Sequence, residues 1–92
     1  MKYNLTILLS GKTTPAKKKA FTVKLEKLLS VFEGKIDKTQ DWGELPLAYK
    51  VKRETSGNFM HYDLELNPKA AKQLREKFVL ENDILRYLLI RL

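Results

Sequence analysis

The sequence has no cysteine. That excludes disulfide staples and thiolate metal sites, and it is compatible with a reducing compartment. There is one histidine, His61, and one tryptophan, Trp42. No Ser/His/Asp or Cys/His constellation can be drawn, and His61 has no acid–base partner visible in the sequence, so it reads as a surface or interface residue. Asp37, Asp41, Glu44 and Glu54 are scattered among basic residues, which suits solvated or paired carboxylates better than a metal site. No cofactor, metal or catalytic chemistry is expected. No run approaches the ~18 apolar residues of a membrane span. The N-terminal Met1-Lys2-Tyr3-Asn4-Leu5 lacks the apolar core and small-residue cleavage site of a secretory signal. A soluble cytoplasmic protein is the expectation.

What is abundant is positive charge. Lys and Arg number 18 against 11 Asp and Glu, for a net charge of +7 over 92 residues. Lysine and arginine release condensed counterions from a phosphate backbone, so a polyanionic partner is favoured over a surface that is basic only for solubility. Hydrophobic residues make up 43%, enough to build a core and to argue against disorder. The length suits one domain over 1–92.

Periodicity then orders the chain. Tyr3, Leu5, Ile7 and Leu9 alternate with Asn4, Thr6, Leu8 and Ser10, which predicts a half-buried strand. Ser10 to Pro15 is a turn cluster in which Thr14 can cap a helix and Pro15 can open it. Phe21, Leu25, Leu28 and Phe32, widened by Leu29, predict that helix from about Pro15 to Phe32, with Gly34 as its stop. Lys35 to Lys52 is β-like, and Pro46 predicts an edge or bulged strand. Glu54-Thr55-Ser56-Gly57-Asn58 reads as a hairpin loop. Phe59 to Leu66 alternates again. Asn67-Pro68 starts a second helix with Ala70, Ala71, Leu74 and Phe78 inside. Glu81-Asn82-Asp83 breaks that pattern, and Ile84 to Leu92 is a last strand.

The order β-α-β-β-α-β is the split βαβ, or ferredoxin-like, arrangement: an α+β sandwich with a four-stranded antiparallel sheet and two helices on one face. The first and third strands should be central. The opposite face has no helix to cover it. Alternation places Thr6, Leu8, Phe59, His61, Asp63, Arg86, Leu88 and Ile90 there. Leu8, Phe59, Leu88 and Ile90 are expected to form an apolar patch without an internal partner, which marks an interaction site.

Two specific motifs fail. Base stacking on the third strand would need a Lys/Arg-Gly-aromatic-Gly/Ala-Phe pattern, which Gly57-Asn58-Phe59-Met60-His61-Tyr62 lacks. Ser10-Gly11-Lys12-Thr13 lacks the earlier glycine of a phosphate loop, and has neither the glycine-rich anion loop nor the arginine of an acylphosphatase-like enzyme.

Glu33-Gly34-Lys35-Ile36, Asp41-Trp42-Gly43 and Leu47-Ala48-Tyr49 together resemble the core of the bacterial small-ribosomal-subunit protein six family. Tyr3-Asn4-Leu5-Thr6-Ile7-Leu8-Leu9 is similar to its first strand, and Asn82-Asp83-Ile84-Leu85-Arg86-Tyr87 resembles the start of its last. The similarity covers nearly the whole chain and is weakest in the first helix. It implies a non-catalytic structural protein of the small ribosomal subunit. Such a protein would bind the central domain of small-subunit ribosomal RNA together with small-subunit protein eighteen and aid assembly. Placement on the fold then nominates Lys2, Lys50, Lys52, Arg53, Arg86 and Arg91 for RNA, and Leu8, Phe59, His61, Leu88 and Ile90 for the partner protein. Two departures bear on this. Glu44-Leu45-Pro46 stand where the family usually has basic residues, and Lys50 stands where a proline often follows. The sequence also stops at Leu92, so contacts by the polar tail of other members are not expected. The alternative function is a regulatory or interaction module that self-associates through its bare sheet.

Overall fold

A computed structural model describes residues 1–79 and 84–92. The elements are β1 (Lys2–Ser10), α1 (Pro15–Val31), β2 (Lys35–Val51), β3 (Glu54–Glu65), α2 (Pro68–Val79) and β4 (Ile84–Arg91). The pattern break at Glu81-Asn82-Asp83, and the Asn82-Asp83 half of the last-strand motif, lie outside the described residues.

The strands form one antiparallel sheet in the order β2-β3-β1-β4. This is the ferredoxin-like order, with β1 and β3 central and the Pro46-bearing β2 at an edge. The alternation of β1 does what period two requires. Tyr3, Leu5, Ile7 and Leu9 are buried toward the helices, where they meet Leu25 and Leu29 of α1 and Leu74 and Phe78 of α2. Each fully buried leucine contributes about 2 kcal/mol by removal from water. Ala70 and Ala71 face the same core; their small side chains let α2 lie close to the sheet.

Both helices start as expected. The Thr14 hydroxyl accepts from the Lys17 N–H at 3.2 Å, and the Asn67 side-chain oxygen accepts from the Ala70 N–H at 2.8 Å. The end of α1 differs by one residue. Glu33, not Gly34, takes the left-handed conformation (φ 60°). The Gly34 N–H reaches the Leu29 carbonyl at 2.8 Å and the Glu33 N–H reaches that of Ser30 at 3.1 Å, which is a Schellman closure. Gly34 is small for another reason: a Cβ there would come within 2.9 Å of the Glu65 carbonyl oxygen.

The predicted hairpin loop at Glu54–Asn58 is overturned. Those residues belong to β3, and Val51 pairs with Glu54, so the turn is Lys52-Arg53. Both turn residues have positive φ (49° and 69°), the combination of a type I′ turn. That turn favours Asn-Gly, so Lys-Arg carries no turn signal in a sequence. Gly57, which drew the prediction, sits in the strand because a Cβ there would strike the Leu8 side chain and approach the Leu9 carbonyl oxygen at 3.1 Å.

Tyr62 is fully buried, with its hydroxyl 3.0 Å from that of Thr22. Burial pushes its phenol above the usual 10.0, the Thr22 hydrogen bond opposes this, and Asp41 adds to it. The unfolded chain then loses the proton more readily than the folded one. The contribution of Tyr62 should be constant below about pH 10 and fall as pH rises through the folded value. Tyr62→Phe should cost about 1 kcal/mol at neutral pH from the lost hydrogen bond. It should also lessen the alkaline loss of stability. Urea midpoints measured from pH 7 to 11 check this, and equal alkaline slopes for the two proteins would refute it.

Candidate nucleic-acid and partner interface

The sheet face away from the helices is divided into two zones. β2 and β3 run past the end of β1, and between Pro46 and Val51 five residues of β2 advance against two of β3. That large bulge bends the hairpin. Its tip crosses the end of β1 and buries Leu8, Val51 and Leu85 together, with Leu47 and Phe59 packed against them. The Lys52 ammonium closes the contact by donating to the Ile84 carbonyl at 3.3 Å.

This corrects the expected apolar patch. Leu8 is only 6% exposed, and Phe59 is half-buried against the same cluster. The chain's own hairpin partners both. Leu88 and Ile90 remain open at 57% and 47% exposed. They lie opposite Thr6 and Asn4 on the edge strand β4.

Beside them the open face carries a polar and aromatic group. His61 lies flat against Trp42, with ring centroids 5.2 Å apart and planes 6° from parallel. Its Nδ1 is 3.0 Å from the Thr6 hydroxyl and its Nε2 is 3.4 Å from Asp63. With the proton on Nε2, directed at Asp63, Nδ1 accepts the Thr6 hydroxyl. The Trp42 indole N–H donates to the Gln40 side chain at 3.1 Å. The surrounding backbone explains why Trp42 points outward. It is the extra residue of a bulge between Asp41 and Gly43, and Gly43 has φ 79°. Asp41 holds the bulge by accepting from the Gly43 N–H at 2.8 Å and from Lys18 of α1 at 3.1 Å. Trp42 itself stays 47% exposed.

The nominated cations fall into two groups. Lys50, Lys52 and Arg53 are on the hairpin tip, and the Lys52–Ile84 hydrogen bond brings that tip to the start of β4, where Arg86 faces the open side opposite Leu8. Lys2 and Arg91 are at the far end of β1, where the Lys2 carbonyl accepts from the Leu92 N–H at 2.9 Å. Arg91 pairs with Tyr3, so its register puts it on the helix side of the sheet, away from Arg86. Glu44, one of the residues departing from the basic loop, accepts from the Ser56 hydroxyl at 2.7 Å. Glu54 ties the β1–α1 turn down through the Ser10 hydroxyl (2.6 Å) and the Gly11 N–H (3.0 Å). Among the described residues there is no group of three or more His, Cys, Asp or Glu placed to hold a metal ion, and no helix long and apolar enough to cross a membrane.

A sequence model of the family described as Ribosomal protein S6 matches residues 2–91. The chain belongs to the ribosomal protein S6 family. Among relatives, the small ribosomal subunit protein bS6 of Pelagibacter ubique is 34% identical over 89 residues, which cover 97% of this chain and 74% of that protein. The bS6 protein of Beijerinckia indica is 28% identical over 72 residues, 78% of this chain and 48% of its own length. Most of the similar relatives extend well beyond the matched region. The crystal structure of 30S ribosomal protein S6 from Thermotoga maritima superposes with a TM-score of 0.89 at 17% identity, covering 99% of this chain and 86% of that one. That likeness bears on the S6 fold alone.

Within this S6 frame, sequence reasoning missed Trp42 as a surface residue. The available signal was its i, i+2 spacing from Gln40. Alternation could not match it to His61, because the bulge shifts the register at that point.

Proposed function

We propose that this chain is a non-catalytic structural constituent of the small ribosomal subunit. Acting as one domain over residues 1–92, it serves translation by binding the central domain of small-subunit ribosomal RNA together with small-subunit protein eighteen. The observation that carries the reading is the family match across residues 2–91. A cytoplasmic, ribosome-associated location goes with it.

The surface divides to suit two partners. Lys50, Lys52, Arg53 and Arg86 form a cationic end suited to phosphate oxygens, which position an RNA without reading its sequence. Lys2 and Arg91 offer a second contact region at the other end of β1. Leu88 and Ile90 supply the apolar centre of a protein interface, with His61 and Trp42 beside it and Phe59 on its margin. Leu8 supports that surface from below. Aromatic residues and open leucine-type side chains are what interface centres favour, with charge kept to the rim.

The decisive experiment is a pull-down of the tagged protein from a low-salt lysate. Small-subunit RNA and the small basic partner should be recovered together, and RNA recovery should fall steeply with salt. A stable homodimer by light scattering, with no RNA recovered, would instead support self-association through the sheet.

A further inference from the structure

The β2–β3 hairpin holds an aromatic ring out in water that the core does not use. Register passes from Pro46 opposite Ser56 to Val51 opposite Glu54, so Leu47, Ala48, Tyr49 and Lys50 stand against Thr55 alone. Strict alternation would turn Leu47, Tyr49 and Val51 to one side. The bulge separates them. Leu47 and Val51 pack into the cluster with Leu8 and Leu85, whereas Tyr49 between them is 68% exposed. Among the described residues its hydroxyl makes no hydrogen bond and its ring no aromatic contact. Lys50, Lys52 and Arg53 follow it at the hairpin tip, and all three are exposed. Among the described residues none of these cations is in an ion pair.

We propose that Tyr49 is the stacking platform for one unpaired base of the bound RNA, with Lys50 and Arg53 on the neighbouring phosphates. This assignment rests on the RNA-binding function proposed above. Every nucleobase has a π-face, and an aromatic ring set among cations holds a single strand without reading its sequence. Duplex RNA fits worse, because its bases are already stacked inside the helix and only an unpaired or terminal base can meet the ring. A protein partner also fits worse. Interface centres favour aromatic residues but are depleted of lysine, and here cations flank the ring. Leu88 and Ile90 lie farther along β4 than Ile84, where the tip rests, so the ring and the apolar surface can serve different partners. The platform is set in advance. Leu47 and Val51 anchor the backbone on both sides of Tyr49, and Lys52 ties the tip to the Ile84 carbonyl at 3.3 Å. A tyrosine has few rotatable bonds, so little freedom is lost when a base lands on it. Phosphate contacts position an RNA backbone; the ring adds a preference for an unpaired nucleotide over a paired one.

The test compares Tyr49→Ala, Tyr49→Phe and Lys50→Ala with the unaltered chain, each with protein eighteen on a transcript of the small-subunit central domain. Both positions are exposed, so all three variants should fold, with melting temperatures within about 4 °C of the unaltered chain. Filter binding across a salt series should show Tyr49→Ala weaker by about tenfold at every salt concentration, with an unchanged slope, because a ring and no charge is removed. Tyr49→Phe keeps the ring and should bind within about twofold of the unaltered chain. Lys50→Ala should lower the slope by about 0.7 to 0.9. The ring protons of 13C-labelled Tyr49, assigned by their loss in Tyr49→Phe, should move upfield when RNA is added, as a base over the ring requires. Equal affinity of Tyr49→Ala and the unaltered chain, an equal loss in Tyr49→Phe, or an unmoved ring would each overturn the proposal. So would a similar loss for protein eighteen in the absence of RNA, which would give Tyr49 to the protein interface. If the unaltered chain leaves the transcript unbound, the RNA-binding function falls and the platform with it. If that chain binds and Tyr49→Ala matches it, only the platform falls.

Discussion

Reversing Lys52, Arg53 and Arg86 to glutamate together should lower affinity for small-subunit ribosomal RNA about 100-fold or more near 0.15 M salt. Each phosphate contact removed takes roughly 0.7 to 0.9 from the slope of log affinity against log salt, so three should flatten it by about 2 to 3. The fold should survive. All three side chains are exposed, and among the described residues the one side-chain hydrogen bond lost is that of Lys52 to the Ile84 carbonyl. The control has the same change in net charge on the helix side, at Lys17, Lys19 and Lys72, which are also exposed. Filter binding across a salt series should show a near-normal slope for the control. If both proteins lose slope equally, net charge governs binding and the cationic end has no special role.

The largest effect on stability should come from Leu5→Ala. Leu5 is fully buried in the centre of the sheet, opposite Tyr62 on β3 and Leu89 on β4. Truncation removes buried methyl groups and leaves a cavity the surrounding strands cannot close, at a cost of about 3 to 4 kcal/mol. A domain of this length holds only about 5 to 14 kcal/mol in all. The melting temperature should therefore fall by roughly 12 to 30 °C. Leu88→Ala removes the same atoms from the same sheet, but from the open face, and should change stability by about 0.5 kcal/mol or less. Thermal unfolding followed by circular dichroism distinguishes them. Similar losses for the two would mean that the assignment of faces is wrong.

Much of this was readable before any coordinates. Strict alternation in Tyr3–Leu9 and Phe59–Leu66, together with the Thr14-Pro15 and Asn67-Pro68 starts, determined the element order. Pro46 placed β2 at an edge, where the sheet order puts it. The bulge expected near Pro46 is there as well; what escaped were the other exceptions to a period. The Lys52-Arg53 turn has no glycine or asparagine to announce it, whereas Gly57 announced a turn it does not make. The bulge at Asp41–Gly43 set Trp42 against His61, and the one after Pro46 brought the hairpin over Leu8. Alternation counted along one strand cannot see a fold-back of another. Arg91 shows the opposite lesson. Its odd spacing from Arg86 was enough to separate their faces, yet both were nominated for the same RNA.

The irregularity of β2 also governs how two copies of the chain can meet. A 17-residue edge strand presents a long row of unpaired amide and carbonyl groups, a template on which another chain can polymerise. Here the row is interrupted at Ile36–Lys38, at Asp41–Gly43 and after Pro46, and Lys35, Lys38 and Lys50 punctuate it with charge. No long flat stretch remains to accept a second copy in register. The same irregularity that bends the hairpin should therefore disfavour edge-to-edge pairing of two copies.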